Sequence, residues 1–348
     1  MNARDRVRTA LTRGRPDRLP KALAFWEENV PGLPDTAEQL RLDVRFVDFT
    51  PPDDQQEFLG YLRGLPPDVH VGNLRQLRPY HQWDYHPERG PRGPLSAAET
   101  LADFAAYIVP EVVAPGAPDQ LAAQVVAYHA RGWAVAGSPP HLGGELFETA
   151  YRLRGFDVFL EDLRLRPDLA HYLLDQLAAL ALHSALILAR AGVDVLLLDD
   201  DVAMASGMIV GPATWRTFFK PRLAEIIRAA REVAPDLLVF YHSDGDFSLI
   251  LADLAEIGVD VINPIQPDCM DAAAIKRDYG NHLALWGTVG TAALWDHGSP
   301  DDIRAEVRLR VRTLGPEGLL LCPAYDIDFA PVANLLAFAD AAEEAGGW

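Results

Sequence analysis

The stretch Leu237–Phe247, LLVFYHSDGDF, carries an apolar run straight into an imidazole and two carboxylates, His242, Asp244 and Asp246. His242 and Asp244 lie two positions apart, so on an extended strand both side chains turn to one face. Other apolar runs end in the same way. One closes on Asp199, Asp200 and Asp201, and another on Asn263 and Gln266, with Asp268 and Cys269 just beyond. Others close on Trp286 and Thr288, on Cys322, Tyr325 and Asp326, and on Trp26, Glu27 and Glu28. A thiolate, an imidazole and carboxylates gathered from separate strands form the donor set that zinc takes tetrahedrally, with one position left open in a catalytic site. Each of these residues also has a plainer role. A cysteine in an apolar run serves as a small core residue, HSDG serves as a strand end leading into an Asp-Gly turn, and Asp199 to Asp201 serve as helix caps or as partners of a substrate amine or hydroxyl. The chain carries no Gly-rich phosphate loop, Ser-His-Asp motif or nucleophile elbow.

The elements that must position these groups are legible as eight apolar runs, at 19–26, 44–50, 131–138, 193–201, 236–244, 259–266, 283–290 and 318–326. Each is continuous rather than alternating, as for parallel strands buried on both faces. Between the later runs, LAHYLLDQLAALALHSALILARAG and LAEIIRAAREVA repeat apolar residues at three- and four-residue spacing, which predicts helices. Gly258 and Gly280 close two further helical segments, and Ser299 with Pro300 opens a third as N-cap and first helical residue. Eight strands alternating with helices predict an α/β fold, a single (β/α)8 TIM barrel over residues 1–348. Its catalytic groups then belong at the C-terminal strand ends, where the polar residues above fall. The Pro-, Gly- and aromatic-rich segment 51–130 between the second and third strands is expected to form a cap-like insertion over the mouth.

Composition narrows the partners. The 31 basic and 50 acidic residues leave a formal charge of −19, which disfavours nucleic acid and anionic membranes. Two cysteines make no disulfide framework, so a reducing cytoplasm is expected, and the first residues show no apolar core of a secretory signal. The most apolar helical segment, around 172–192, is interrupted by His183 and Arg190, which argues against a membrane span.

These residues resemble the uroporphyrinogen decarboxylase superfamily. The opening NARDRVRTALTRGRPDRLP is similar to its characteristic start, and LLLDDDVAMASGMIVGPATWRTFFKPRL, FYHSDGDFSLILADLAEIGVDVINPIQPDCMD, IKRDYGNHLALWGTVGT and GSPDDIRAEVRLRV follow its second half. The likeness covers nearly the whole chain, is strongest from about 190 onward and is weak in 51–130. It implies a TIM barrel and one of two chemistries: cofactor-free decarboxylation of porphyrinogen acetates, or zinc-dependent methyl transfer with corrinoid proteins, thiols or methoxylated aromatics. The decarboxylase has an arginine-rich motif after its first strand, where this chain reads LAFWEENVPGL, and Tyr325 stands where the decarboxylase has a histidine. Glutamates in that position would repel a polycarboxylate substrate.

The methyltransferase branch carries His-x-Cys on the fifth strand and a distant Cys on the eighth. The resemblance therefore implies His242 and Cys322 as metal ligands, with Asp244 in the middle position, a harder donor than thiolate. A fourth ligand would come from Glu145, Glu148, Asp268 or Cys269, the first two within GGELFETAYRLRGF, which is also similar to the methyltransferase side. Asp199, Asp201, Tyr325 and Asp326 would orient substrate or manage a proton. Trp26, Glu27, Gln266 and Trp286 would bind substrate, with Trp83 and Tyr325 completing an aromatic lining. The reading is a zinc-dependent methyltransferase working with a corrinoid (cobalamin) protein on a small molecule, in the cytoplasm, with a homodimer open. The alternative is a metal-independent decarboxylase using the Asp and Tyr groups, and the bland alternative is a barrel retained only for binding.

Overall fold

The computed structural model describes residues 1–23, 30, 32–49, 93–109, 113–140, 144–327 and 329–345. The expectations placed on Trp26, Glu27, Glu28 and Trp83 lie outside them. In chain order the strands are β1 Val44–Val47, β2 Ala134–Gly137, β3 Val195–Asp199, β4 Ala203–Met204, β5 Gly207–Met208, β6 Leu238–His242, β7 Val261–Asn263, β8 Ala284–Trp286 and β9 Leu319–Leu320. Seven of them form one curled parallel sheet in the order β1-β2-β3-β6-β7-β8-β9, and β4 pairs antiparallel with β5 as a separate hairpin. All seven sheet strands fall inside apolar runs recognised in the sequence. The hairpin was not foreseen, because two residues a side carry too little pattern to read. The first predicted strand is present as a bridge between Lys21 and Leu321. Ala22 N donates to Leu321 O (3.0 Å), Leu321 N to Pro20 O (3.0 Å), and Asp43 N to Lys21 O (2.9 Å), so residues 20–22 bond to segments at both edges of the sheet.

Side-chain alternation along the strands divides the core in two. Phe46, Val195, Leu197, Leu238, Phe240, Val261, Ala284, Trp286, Leu320 and Cys322 fill the inner face. Leu196, Leu198, Val239, Tyr241, Ile262 and Leu285 point outward and pack with the helices. Burial on both faces is why each strand reads as a continuous apolar run. The helix Pro167–Ala191 has Pro at its start and ends at Gly192 in the left-handed region. It is long and apolar enough to cross a membrane, but Leu173, Leu174, Leu177, Ala181, Ala185 and Leu188 are buried in the outer core. Ser299 and Asp302 form a reciprocal capping box at the start of the helix Pro300–Leu314, as predicted from Ser299 and Pro300.

The stretch 51–130 is not loop throughout. Leu101–Ala106 and Ala117–Ala130 are helices, and the second packs against β1, β2 and Pro167–Ala191. Ala117, Leu121 and Val125, spaced four residues apart, are its buried residues. The tail of this stretch therefore belongs to the layer flanking the sheet.

Candidate functional site

Register builds the site. Asp199 pairs with His242 across β3 and β6, and His242 with Asn263 across β6 and β7. Two residues earlier on each strand stand Leu197, Phe240 and Val261, all in the inner core. The same alternation therefore turns Asp199, His242 and Asn263 inward, one layer above the apolar filling. Continued on the neighbouring strands it reaches Asp48 beyond Phe46, Ser138 beyond Ala136, and Thr288 beyond Trp286. On β3, β6 and β7 the inner face thus changes from apolar to polar where Asp199, His242 and Asn263 pair, at the C-terminal strand ends.

Among the described residues, one trio of metal-capable groups converges: Asp199, Asp201 and His242, with donor atoms all within 4.8 Å of one another. His242 Nε2 lies 3.5 Å from Asp201 Oδ1 and 3.9 Å from Asp199 Oδ1. Both distances are long for hydrogen bonds. Donors about 2.0–2.1 Å from a shared tetrahedral ion would stand roughly 3.3 Å apart, so the trio approaches the spacing of ligands around a common centre. One imidazole and two carboxylates also match a divalent ion in charge and donor type, so these residues fit a metal. On its other side His242 Nδ1 is 2.6 Å from Asn263 Oδ1, and Asn263 Nδ2 donates to Trp286 O at 2.9 Å. Asp201 accepts from Asp244 N at 2.5 Å.

Further carboxylates surround the trio. Glu145 N donates to Asp199 O at 2.8 Å, and the Glu145 carboxylate accepts from Asp199 N, which ties the start of the 144–154 segment to the end of β3. Burial pushes both the Glu145 and Asp199 carboxyls well up, and the charge of Asp201 adds to the effect on Asp199. Glu148 is buried and pushed up to about 8, by burial and then by Asp201, although Tyr151 Oη donates to it at 2.8 Å and Arg152 lies 3.4 Å away. A cation among these groups would relieve their desolvation and mutual repulsion.

The three consecutive aspartates have separate roles. Asp200 turns away from the trio and accepts from Phe147 N (2.8 and 2.9 Å) and Glu148 N (3.1 Å), anchoring the helix Phe147–Arg154 by its first turn. Burial pushes its carboxyl up to about 7 against the pull of those amides. Gly144 makes this approach possible: at φ 92° it sits where a Cβ would meet Asp200 Oδ1 at 2.8 Å. The helix-capping alternative thus holds for Asp200, while Asp199 and Asp201 face His242.

Asp244, Gln266, Cys269, Asp268 and Tyr325 form a rim beside the trio. Gln266 Nε2 donates to Asp244 Oδ1 (2.7 Å), Gln266 Oε1 accepts from Gly245 N (2.8 Å), and Cys269 Sγ lies 3.6 Å from the same oxygen. Tyr325 Oη donates to Asp268 at 3.3 Å. Asp244 is open to solvent, yet the packing beneath it pushes its carboxyl up to about 6. His242 pulls it down, while Asp201 and Asp326 push it further up. Trp286 does not line this rim. It is fully buried in the inner core against Phe240 (5.2 Å between ring centroids) and Phe46 (6.5 Å), and it meets the site only through its carbonyl. Cys322 is also fully buried in that core, its thiol against the Leu23 carbonyl, and neither it nor Asp244 belongs to the converging trio. Asp48 and Ser138 escaped the sequence reading. Counting in twos from the apolar residues of each run would have found them.

A parallel α/β sheet with its polar, titratable groups beyond the C-terminal strand ends defines a class of proteins that work at that face. Within it, residues 133–345, more than half of the chain, match the uroporphyrinogen decarboxylase (URO-D) family, and the chain belongs to that family. Among solved structures it is similar to a methyltransferase from Methanosarcina mazei, with TM-score 0.67, 19% identity, and 99% of each chain covered. It also matches a B12-independent methionine synthase from Shewanella sp. W3-18-1, with TM-score 0.44 and 12% identity over 68% of each chain.

Proposed function

We propose that the protein is a zinc-dependent methyltransferase of the uroporphyrinogen decarboxylase type, moving a methyl group between a small methoxylated or methylated substrate and a corrinoid protein. The observation that carries this reading is the convergence of Asp199, Asp201 and His242 at the C-terminal strand ends. The likeness of fold to the Methanosarcina mazei methyltransferase, along the whole of both chains, supports it. In the same reading the sheet closes into an eight-stranded barrel through residues 20–22, supported by their hydrogen bonds on both sides.

Asp199, Asp201 and His242 would hold the ion, and zinc there would supply Lewis acidity toward an ether oxygen or a thiol. Asp244, steadied by Gln266 and pushed up to about 6, would give a proton to the leaving oxygen. Tyr325 and Asp268 would orient the substrate from the rim, with Asp326 beside Asp244. Two carboxylates and one imidazole make an oxygen-rich set, which favours an oxygen leaving group over thiol activation. The corrinoid partner would dock over this mouth. Cytoplasmic location and a homodimer remain part of the proposal.

The test is metal content of purified wild type, His242→Ala and Asp199→Ala after zinc loading under reducing conditions. About one zinc per chain in wild type and little in the variants is the expected result. No zinc in wild type would turn the reading to the family's metal-free decarboxylation, with Asp244 and Tyr325 as its acid–base groups.

A further inference from the structure

We infer that Asn263 is a positioning residue that fixes His242 in one tautomer and so aims the Nε2 lone pair at Asp199 and Asp201. The argument is one of donors and acceptors. The Trp286 carbonyl can only accept, so the Asn263 group 2.9 Å from it must be the NH2. That leaves Oδ1, 2.6 Å from His242 Nδ1. An amide oxygen can only accept, so Nδ1 must carry hydrogen. A neutral imidazole has a single N–H, and Nε2, the nitrogen facing Asp199 and Asp201, is then an acceptor.

The amide is itself held in place. Asn263 is 2% exposed and sits in register beside His242. Gly287, at φ 85°, leaves the space the amide occupies: a Cβ there would stand 2.5 Å from Asn263 Nδ2. The chain Trp286 C=O, Asn263, His242 therefore transmits the backbone position of β8 to the ring on β6. Hydrogen bonds of this kind orient a ligating imidazole and raise its basicity, and their removal costs about 10–100-fold in metal affinity. The zinc readout below rests on the proposed metal site; the tautomer does not.

Selectively 15N-His-labelled protein, free of metal and at alkaline pH, reports the tautomer directly, with the His242 signal identified by its absence in His242→Gln. Wild type should show Nδ1–H. Asn263→Leu should shift the ring toward Nε2–H and weaken zinc binding about 10–100-fold in competition with a chromophoric chelator. Asn263→Asp keeps an acceptor for Nδ1–H but gives up the donor to the Trp286 carbonyl, so it should retain the Nδ1–H tautomer. Gly287→Ala should crowd the amide and move both readouts as Asn263→Leu does. An unchanged tautomer in Asn263→Leu, or loss of the Nδ1–H tautomer in Asn263→Asp, overturns the inference. If Asn263→Leu does not fold, Asn263→Asp and Gly287→Ala decide it between them. If wild type takes up no zinc, the metal reading fails, and the tautomer shift alone decides the role of Asn263.

Discussion

At the scale of single residues, the site is a matter of which carboxylates are solvated and which are not. Glu148 shows the consequence. Its ordinary value is 4.5 and the fold pushes it up to about 8, so the folded chain holds its proton more tightly than the unfolded one. Its contribution to stability is then complete below about 4.5 and is lost as pH rises toward 8. Glu148→Gln keeps an acceptor for Tyr151 and removes the titration. With a chelator present, wild type should lose melting temperature relative to this variant by several degrees between about pH 5 and pH 8. Parallel curves would show that Glu148 is solvated after all. Cys322 gives a second prediction. Its place in the inner core, apart from the converging trio, predicts that Cys322→Ala keeps its metal and loses of the order of 1–2 kcal/mol of stability in a urea titration. Loss of zinc with stability intact would instead put the thiol in the coordination sphere.

At the scale of elements, Asp200 joins the end of β3 to the helix Phe147–Arg154 by accepting from two amides of its first turn. Asp200→Ala should cost about 1–3 kcal/mol, because two buried N–H groups lose their acceptor. Asp200→Asn retains an oxygen and should cost less, the more so at alkaline pH, where the buried carboxylate is least favourable. Unfolding midpoints of the two variants at pH 6 and pH 8 check the order; equal losses would remove the capping role. Strands and long helices were legible because burial on both faces and three-to-four-residue spacing leave strong patterns. The β4–β5 hairpin, two residues a side, leaves none.

At the scale of the whole molecule, the formal charge of −19 bears on stability as well as on partners. Carboxylates crowd the candidate site, while many exposed charges are paired locally, as Arg228 is with Glu225 and Glu232. Screening should therefore relieve net self-repulsion more than it weakens surface pairs. Raising sodium chloride from about 10 to about 150 mM should raise the melting temperature of the metal-free protein by roughly a few degrees. A fall would mean that the surface ion pairs outweigh the net charge.

The sequence by itself determined the sheet strands, their parallel pairing and the end of the sheet where polar residues gather, since all of these follow from local period and burial. It also placed Asp199, Asp201 and His242 among the polar residues at the strand ends. What it could not decide was how they divide the work. Asp199, Asp200 and Asp201 are adjacent and chemically identical, and only the register of β3 against β6 and the approach of the helix Phe147–Arg154 separate two donors from a cap. Asn263 became informative only beside His242, and Trp286 withdrew from the site only when the inner core closed around it. Local pattern records which face a residue takes. The partner it meets there is set by chain segments tens of residues away, and only the tertiary structure brings those together.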